Sequence, residues 1–446
     1  MSHLWDVVVV GAGPAGCMTA EHLVQKGLDV VVVDAGPFPE EGESFAEVER
    51  RQWPFRVVGE SYDWYRIRGV GGRSHLWGGW CTRFPEETFL RGGWPLSFPS
   101  MEKAYQVVEQ TVSLQTGLLS QRFSELGRSL ELRIHPKIGA YQGLHQVWQP
   151  LSLSSAQHAK TYLPALCLEH DTKSVTSLNC LDMRSEKEVQ LQARSYVLAA
   201  SPIETTRLLL NSEMGGISPT IGQGFVDHMV ASYVLLEPEP PEPCNDSLGV
   251  SALVDNFVNM DDESQRTYPG GFTIELTGPL PLSKLDLERM VPASEVDSWR
   301  ATQIHAMGEC FPYSERYISL DTSEVDCSGR PIPCIHMAWS DAERDMAEDM
   351  KQACSQLADS LAIPGSKLLK FRDPLTAGAG HEAGACTMGN GPDEPCSSEG
   401  KLKALDNLWI ADASTWPTSG DRHPTLTLLA QAIRVADSCA QWLNAS

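Results

Sequence analysis

The chain has 446 residues, 42% hydrophobic and 21% charged, which is the make-up of a soluble globular protein long enough for two domains sharing a large core. Lys plus Arg number 35 against 58 Asp plus Glu, and the net charge of −23 argues against nucleic acid or an anionic membrane as partner; it suits a cationic substrate, with solubility as the plainer reading. No apolar run can span a bilayer, the twelve cysteines contain no CxxC pair, and a strand begins just after Met1, so the expectation is a cytoplasmic protein with reduced thiols, no metal site and no membrane insertion.

The first element is a strand–turn–helix–strand unit. Asp6 to Val10 runs into Gly11-Ala-Gly13-Pro14-Ala15-Gly16, Cys17, Ala20, Leu23 and Val24 follow at helical spacing, Gly27 stops the helix, and Val30 to Val33 leads to Asp34. Gly11 permits the tight turn, Gly13 and the Pro14-Ala15 start of the helix admit a pyrophosphate, and Gly16 lets helix and strand pack closely. Asp34, about 20 residues beyond the first glycine, is placed to accept hydrogen bonds from ribose hydroxyls. By itself this unit fits NAD as well as FAD.

Ala35 to Pro39 reads as a loop, with a charged segment to Arg51 after it. Between residues 66 and 79 come Gly69, Gly71, Gly72, Ser74, His75, Trp77, Gly78 and Gly79, and so many glycines must serve turns or close backbone approach. An N-terminal GxGxxG followed by this VGG-x-S-x-x-W segment resembles the glucose–methanol–choline family of flavoproteins, particularly its pyranose-oxidase-like branch. The resemblance implies that Gly71, Gly72, Ser74, His75, Trp77 and Gly78 lie along the flavin. The position at which some relatives attach FAD covalently through histidine falls on Leu76, so non-covalent FAD is expected, with a His75 linkage as the alternative.

Trp94 to Ser97 opens an amphipathic helix through Tyr105, Val108 and Val112, and short strands are expected at 162–167 and 188–191. Ala193 to Leu210 reads as a buried strand, a turn at Ala200-Ser201-Pro202 and a helix. It is similar to the family segment that returns to the cofactor domain, with Ser201 where glycine is usual, and Asp227-His228 resembles the pattern that closes this return. The prolines within 237–246 mark a hinge into an inserted substrate domain, in which strands at 271–276 and 316–320 and a helix over 341–361 are expected. The resemblance puts Ile335-His336 on a strand lining the substrate cavity, with Glu309 upstream facing the flavin or, equally, on the surface.

Near the C-terminus, Gly380-His381-Glu-Ala-Gly384 and His423-Pro424-Thr425-Leu-Thr427 match the family's HxxG and (N/H)P-x-x-T patterns. The resemblance makes His381 the base and His423 its partner, with shared or exchanged roles open. Alcohol oxidation needs two such groups: hydride leaves carbon only as the hydroxyl proton is lost, a neutral imidazole can take that proton near pH 7, and a second group aims the C–H at the acceptor. Asp412, at the end of the last strand, is assigned by resemblance to the ribityl and pyrophosphate region, and the helix start at Pro424 and Thr425 to the flavin pyrimidine.

The expected fold is α/β: a Rossmann-like FAD-binding domain built from 1–100, 190–236 and 376–446, with an inserted α+β substrate domain on an antiparallel sheet, comprising 101–189 and 237–375 with connecting segments. The expected reaction oxidises a carbinol of a sugar, cyclitol or amino sugar to the carbonyl, with oxygen or another electron acceptor. A lyase with redox-silent FAD and a non-catalytic FAD-binding protein are the competing readings.

Overall fold

The computed structural model describes residues 3–36, 53–142, 146–147, 159–240, 250–257, 266–285, 287–376 and 378–445. The loop and charged segment expected from Phe38 to Arg51 lie outside the described residues, as does most of the proline-rich stretch.

β1 (Leu4–Val10), α1 (Pro14–Gln25) and β2 (Val30–Val33) open the chain, and β3 (Arg56–Gly59), α2 (Glu86–Arg91) and α3 (Phe98–Thr111) follow. Small elements come next: β4 (Leu114–Thr116), α4 (Gln121–Ser129), β5 (Ile134–Pro136), β6 (Ile138–Gln142), β7 (Gln146–Val147) and β8 (Ala159–Lys160). β9 (Ala165–His170), β10 (Val175–Asp182) and β11 (Lys187–Leu198) lead into α5 (Pro202–Asn211). Then come β12 (Met229–Glu237), β13 (Ser251–Val254), β14 (Phe272–Pro281), β15 (Arg300–Gly308), β16 (Tyr317–Val325) and β17 (Pro331–Met337). α6 (Asp341–Leu361), β18 (Lys367–Arg372), β19 (Leu408–Ile410) and α7 (Thr425–Ala445) complete the order.

Two sheets carry the fold. The first has the order β8-β2-β1-β11-β10-β9, with β19 also on β11. Its centre is parallel and its strands are continuous valine-rich runs, because helices cover both faces and no residue needs to face water. Val10, Leu198 and Ile410 stand side by side in register, so three chain segments leave the sheet at one point: Gly11 to Gly13, Ala199 to Ser201, and Asp412. Ligands of open α/β sheets bind at such carboxyl-terminal crevices. The second sheet, β18-β12-β15-β14-β13-β5, is antiparallel throughout, and α6 packs against β12 and β15. One hydrophobic core runs through both, from Val7 to Val10 and Leu426 to Leu443 on one side to Ile274, Ile304 and Met350 on the other.

The expected boundaries need three corrections. β9 and β10, placed outside the cofactor domain, extend its sheet through β11. β12 belongs to the centre of the antiparallel sheet, so the chain crosses over at Met229, before the prolines begin. β5, from the connecting region, pairs with β13 at that sheet's edge. Hydrophobic pattern identifies strands but not their neighbours. The helix at Asp341–Leu361 has the limits expected, its start fixed by a Ser340–Glu343 capping box.

Candidate active site

A cavity of about 440 Å³ opens where the three segments leave the parallel sheet. Gly11, Gly13, Pro14, Ala15, Asp34, Gly72, Ser74, Trp77, Gly78, Ala200, Asp412, Pro424, Thr425, His381 and His423 all line it. Segments some four hundred residues apart are thus brought together.

The glycines of the first turn differ in what confines them. Gly11 has φ +100°, and a Cβ there would sit 2.4 Å from the Ala199 carbonyl oxygen. A Cβ on Gly16 would sit 1.9 Å from the Gly11 oxygen, whereas one on Gly13 would meet no atom within 4 Å. Gly13 caps α1 without a side-chain hydrogen bond, so the helix's first N–H groups and its partial positive charge, roughly half a unit, are directed at the cavity. The Asp34 carboxylate accepts from Ala12 N at 2.8 Å and Gly36 N at 2.9 Å. Asp412 accepts from Ser414 N at 2.9 Å and Thr205 Oγ1 at 2.5 Å. Ser201 has φ +74° and ψ 157°, a region almost confined to glycine. These features fit a dinucleotide: open backbone beside Gly13, an uncapped helix start, and two carboxylates fixed by the backbone around them.

His381 and His423 line the same cavity. His381 Nδ1 lies 3.0 Å from Nδ1 of His228, whose Nε2 lies 2.8 Å from the Gly420 oxygen. Beneath them Asp227, fully buried, accepts from His228 N (2.7 Å), His381 N (3.0 Å), Tyr62 Oη (2.9 Å) and Ala379 N (3.0 Å). Burial pushes the Asp227 carboxyl up to about 7, and four donors oppose this by favouring the ion. Burial, and then the neighbouring His228, His423, Arg73 and Arg372, hold His381 well below the ordinary imidazole range, while burial brings His228 down to about 4.

His423 is held differently. Its Nε2 donates to Glu275 Oε2 at 3.1 Å, and its ring stacks on Trp80 with centroids 5.3 Å apart. Trp80 Nε1 donates to the other oxygen of Glu275 at 2.7 Å. Burial works to raise the Glu275 carboxyl, but the hydrogen bond and charge of His423 prevail and keep it at about 2. The His381 and His423 rings meet edge to face, centroids 5.5 Å apart.

Five candidates lie off the cavity lining. Gly16 and Gly71 support it from behind. The His75 ring folds back over Gly71 and bonds the Val70 oxygen through Nε2 at 2.8 Å. Glu309 is a correction: it is buried in an ion pair with Arg91 at 2.5 Å and accepts from Thr418 Oγ1 at 3.0 Å, so it faces neither cavity nor solvent. His336 is another, stacked on Tyr317 with centroids 4.0 Å apart and bonded to Ser319 Oγ. Sequence reasoning missed Glu275, Trp80, and the Arg73–Glu382 pair (2.5 Å) that joins the glycine-rich turn to the His381 loop. His228 was visible within the Asp-His pattern, whereas Glu275 carries no motif at all.

Residues 146–230 and 312–432 match the N- and C-terminal family models described as GMC oxidoreductase, and residues 6–153 match the model described as FAD dependent oxidoreductase. The chain belongs to the GMC oxidoreductase family. FAD is the cofactor of this oxidoreductase. The chain is similar to the 6'''-hydroxyparomomycin C oxidase of Streptomyces lividus, 24% identical over an alignment of 523 positions that covers 99% of this chain and 92% of the relative. It also resembles the paromamine 6'-oxidase of Streptomyces fradiae, at 23% identity with 98% and 91% covered. The fructose dehydrogenase large subunit of Gluconobacter japonicus is 22% identical, with 97% of each chain covered. The crystal structure of pyridoxine 4-oxidase from Mesorbium loti superposes with a TM-score of 0.72 at 18% identity, covering 98% of this chain and 99% of that one, and so shares the fold. No helix among the described residues is long and apolar enough to cross a membrane.

Proposed function

We propose that the oxidoreductase converts a carbinol of a small polyol, most specifically an amino sugar, to its carbonyl, with His381 as base and His423 as the group that orients the hydroxyl. The observation that carries this reading is the opening of both imidazoles into the cavity that also holds the glycine-rich turn, Asp34, Asp412 and the start of α7. Gly13, Ala15, Asp34, Ser74, Asp412 and Thr425 would hold FAD without a covalent bond. When bound, FAD supplies the hydride acceptor.

The two histidines are unequal, which supports the division of labour. His381 is kept neutral by its surroundings and can accept a proton. His423 gives its Nε2 hydrogen to a carboxylate, which fixes the ring against Trp80 and leaves its other nitrogen to hold the substrate oxygen. The amino-sugar reading draws on the activities named for the two Streptomyces relatives and on the net charge of −23. The lining itself is not acidic, since Asp34, Glu204, Glu382 and Asp412 are matched by Arg66, Arg68, Arg73, Arg207 and Arg330. The attraction for a cation is therefore the long-range field of the whole protein, screened beyond about 10 Å at 0.1 M salt.

The test is anaerobic mixing with amino sugars, their N-acetylated forms and neutral polyols, followed by admission of air. Bleaching of the oxidised flavin, faster with the free amine and slowed by salt, is the expected result. Product formation with the flavin still oxidised would establish the lyase reading instead. Equal rates for free and acetylated amines would remove the amino-sugar assignment.

A further inference from the structure

We propose that His228 is a positioning residue, which fixes His381 in the tautomer whose lone pair is on Nε2. The proposal rests on the reading of His381 as the base.

The argument starts at Gly420. Its carbonyl oxygen can only accept, and it lies 2.8 Å from His228 Nε2, so that nitrogen carries the hydrogen. The oxygen is held in place, because Gly420 has φ +74°, its N–H donates to Thr418 Oγ1 at 3.3 Å, and a Cβ there would meet the Phe84 ring at 2.2 Å. His228 is fully buried, and burial favours its neutral form. A neutral imidazole has one N–H, so His228 Nδ1 has a lone pair. That lone pair is 3.0 Å from His381 Nδ1, a distance that requires a hydrogen between the two nitrogens. His381 Nδ1 must supply it, which leaves the lone pair of His381 on Nε2.

Asp227 adds the register. One oxygen of its carboxylate takes the backbone N–H groups of both His228 and His381, so the two rings are set from a common anchor. When His381 takes up a proton at Nε2, its Nδ1–H still points at a lone pair, and the imidazolium is held by the same contact. This is the orienting logic of a base whose far nitrogen is fixed by a third group, with a histidine in place of a carboxylate. Without His228, the Nδ1–H of His381 loses its acceptor and the opposite tautomer, with no lone pair on Nε2, becomes accessible.

The decisive measurement is ¹⁵N NMR of histidine-labelled holoenzyme, with His381→Gln used to assign the signals. The expected spectrum shows His381 protonated at Nδ1 and bare at Nε2. An Nε2–H signal from His381 in the unsubstituted protein would overturn the proposal, whether or not any alcohol is a substrate, so its failure is separate from failure of the reaction reading. His228→Phe keeps a planar aromatic ring but offers no acceptor, and anaerobic flavin reduction should slow by about 10²-fold with little change in KM or bound FAD. His228→Asn places Oδ1 close to where Nδ1 stood and should restore the rate to within about tenfold of the parent. Equal rates for the Phe and Asn variants would also overturn the proposal, because a purely packing role does not distinguish them in that way.

Discussion

At the scale of single residues, the site depends on how each histidine is surrounded. An ordinary imidazole titrates near 6.5, but His381 is held well below that by burial and by His228, His423 and Arg73. A base with a depressed value is already neutral at pH 6.5 and is lost only as the pH falls further. With a substrate that does not itself ionise, the loss of kcat/KM for anaerobic reduction that belongs to His381 should therefore fall below pH 6.5, separate from any inflection near 7, which belongs to the Asp227 carboxyl beneath it. No further loss of rate below pH 6.5 would mean that the base is not His381 in this setting. The pair His381 and His423 was legible because flanking glycines and a proline mark both as motif positions. Glu275, which fixes His423, was not legible, since a glutamate in an alternating strand looks like any surface carboxylate until the strand's neighbours are known.

At the scale of elements, the three segments that leave the parallel sheet at Val10, Leu198 and Ile410 build the cradle. The strand–turn–helix unit was readable as a fold, with the tight turn at Gly11 and the close packing at Gly16, and Gly13 is proposed to face the pyrophosphate. Those roles make opposite predictions. Gly16→Ala puts a methyl 1.9 Å from the Gly11 oxygen and should cost about 3 kcal/mol of stability, read as a lower urea midpoint. Gly13 has φ −70° and open space around it, so Gly13→Ala should leave the midpoint of the cofactor-free protein unchanged and weaken FAD binding at least about tenfold, read by flavin fluorescence titration. If both variants lost stability equally, Gly13 would be a packing residue and the cradle would need another account. The assignment of strands to sheets was less legible. β9, β10 and β12 have the expected pattern, but the pattern is the same whichever sheet receives them.

At the scale of the whole molecule, one apolar core is shared by the two sheets, and a buried ion pair ties α2 to the end of β15. Arg91 of α2 meets Glu309 just after β15, and Thr418 ties the same carboxylate to the segment that carries His423. Burial lifts Glu309 to about 7 despite Arg91. Arg91→Met should cost about 3 kcal/mol at pH 8, where a lone buried carboxylate must stay charged or take up a proton. The loss should shrink at pH 6, where protonation is easier, and urea titrations at the two pH values would show it. An equal loss at both would mean that packing, not charge, is what Arg91 contributes. The amino-acid sequence by itself determined the strand–turn–helix unit that binds a dinucleotide, because glycine conformation, helix starts and residue types at fixed spacing are short-range stereochemistry, while FAD and the candidate histidine pair were read from resemblance to a family. Only the tertiary structure decided that Glu309 and His336 lie off the cavity, that His75 folds back over Gly71, and that Glu275 and His228 stand behind the two histidines. Those facts depend on which strands become neighbours, and that is set by how the whole core packs.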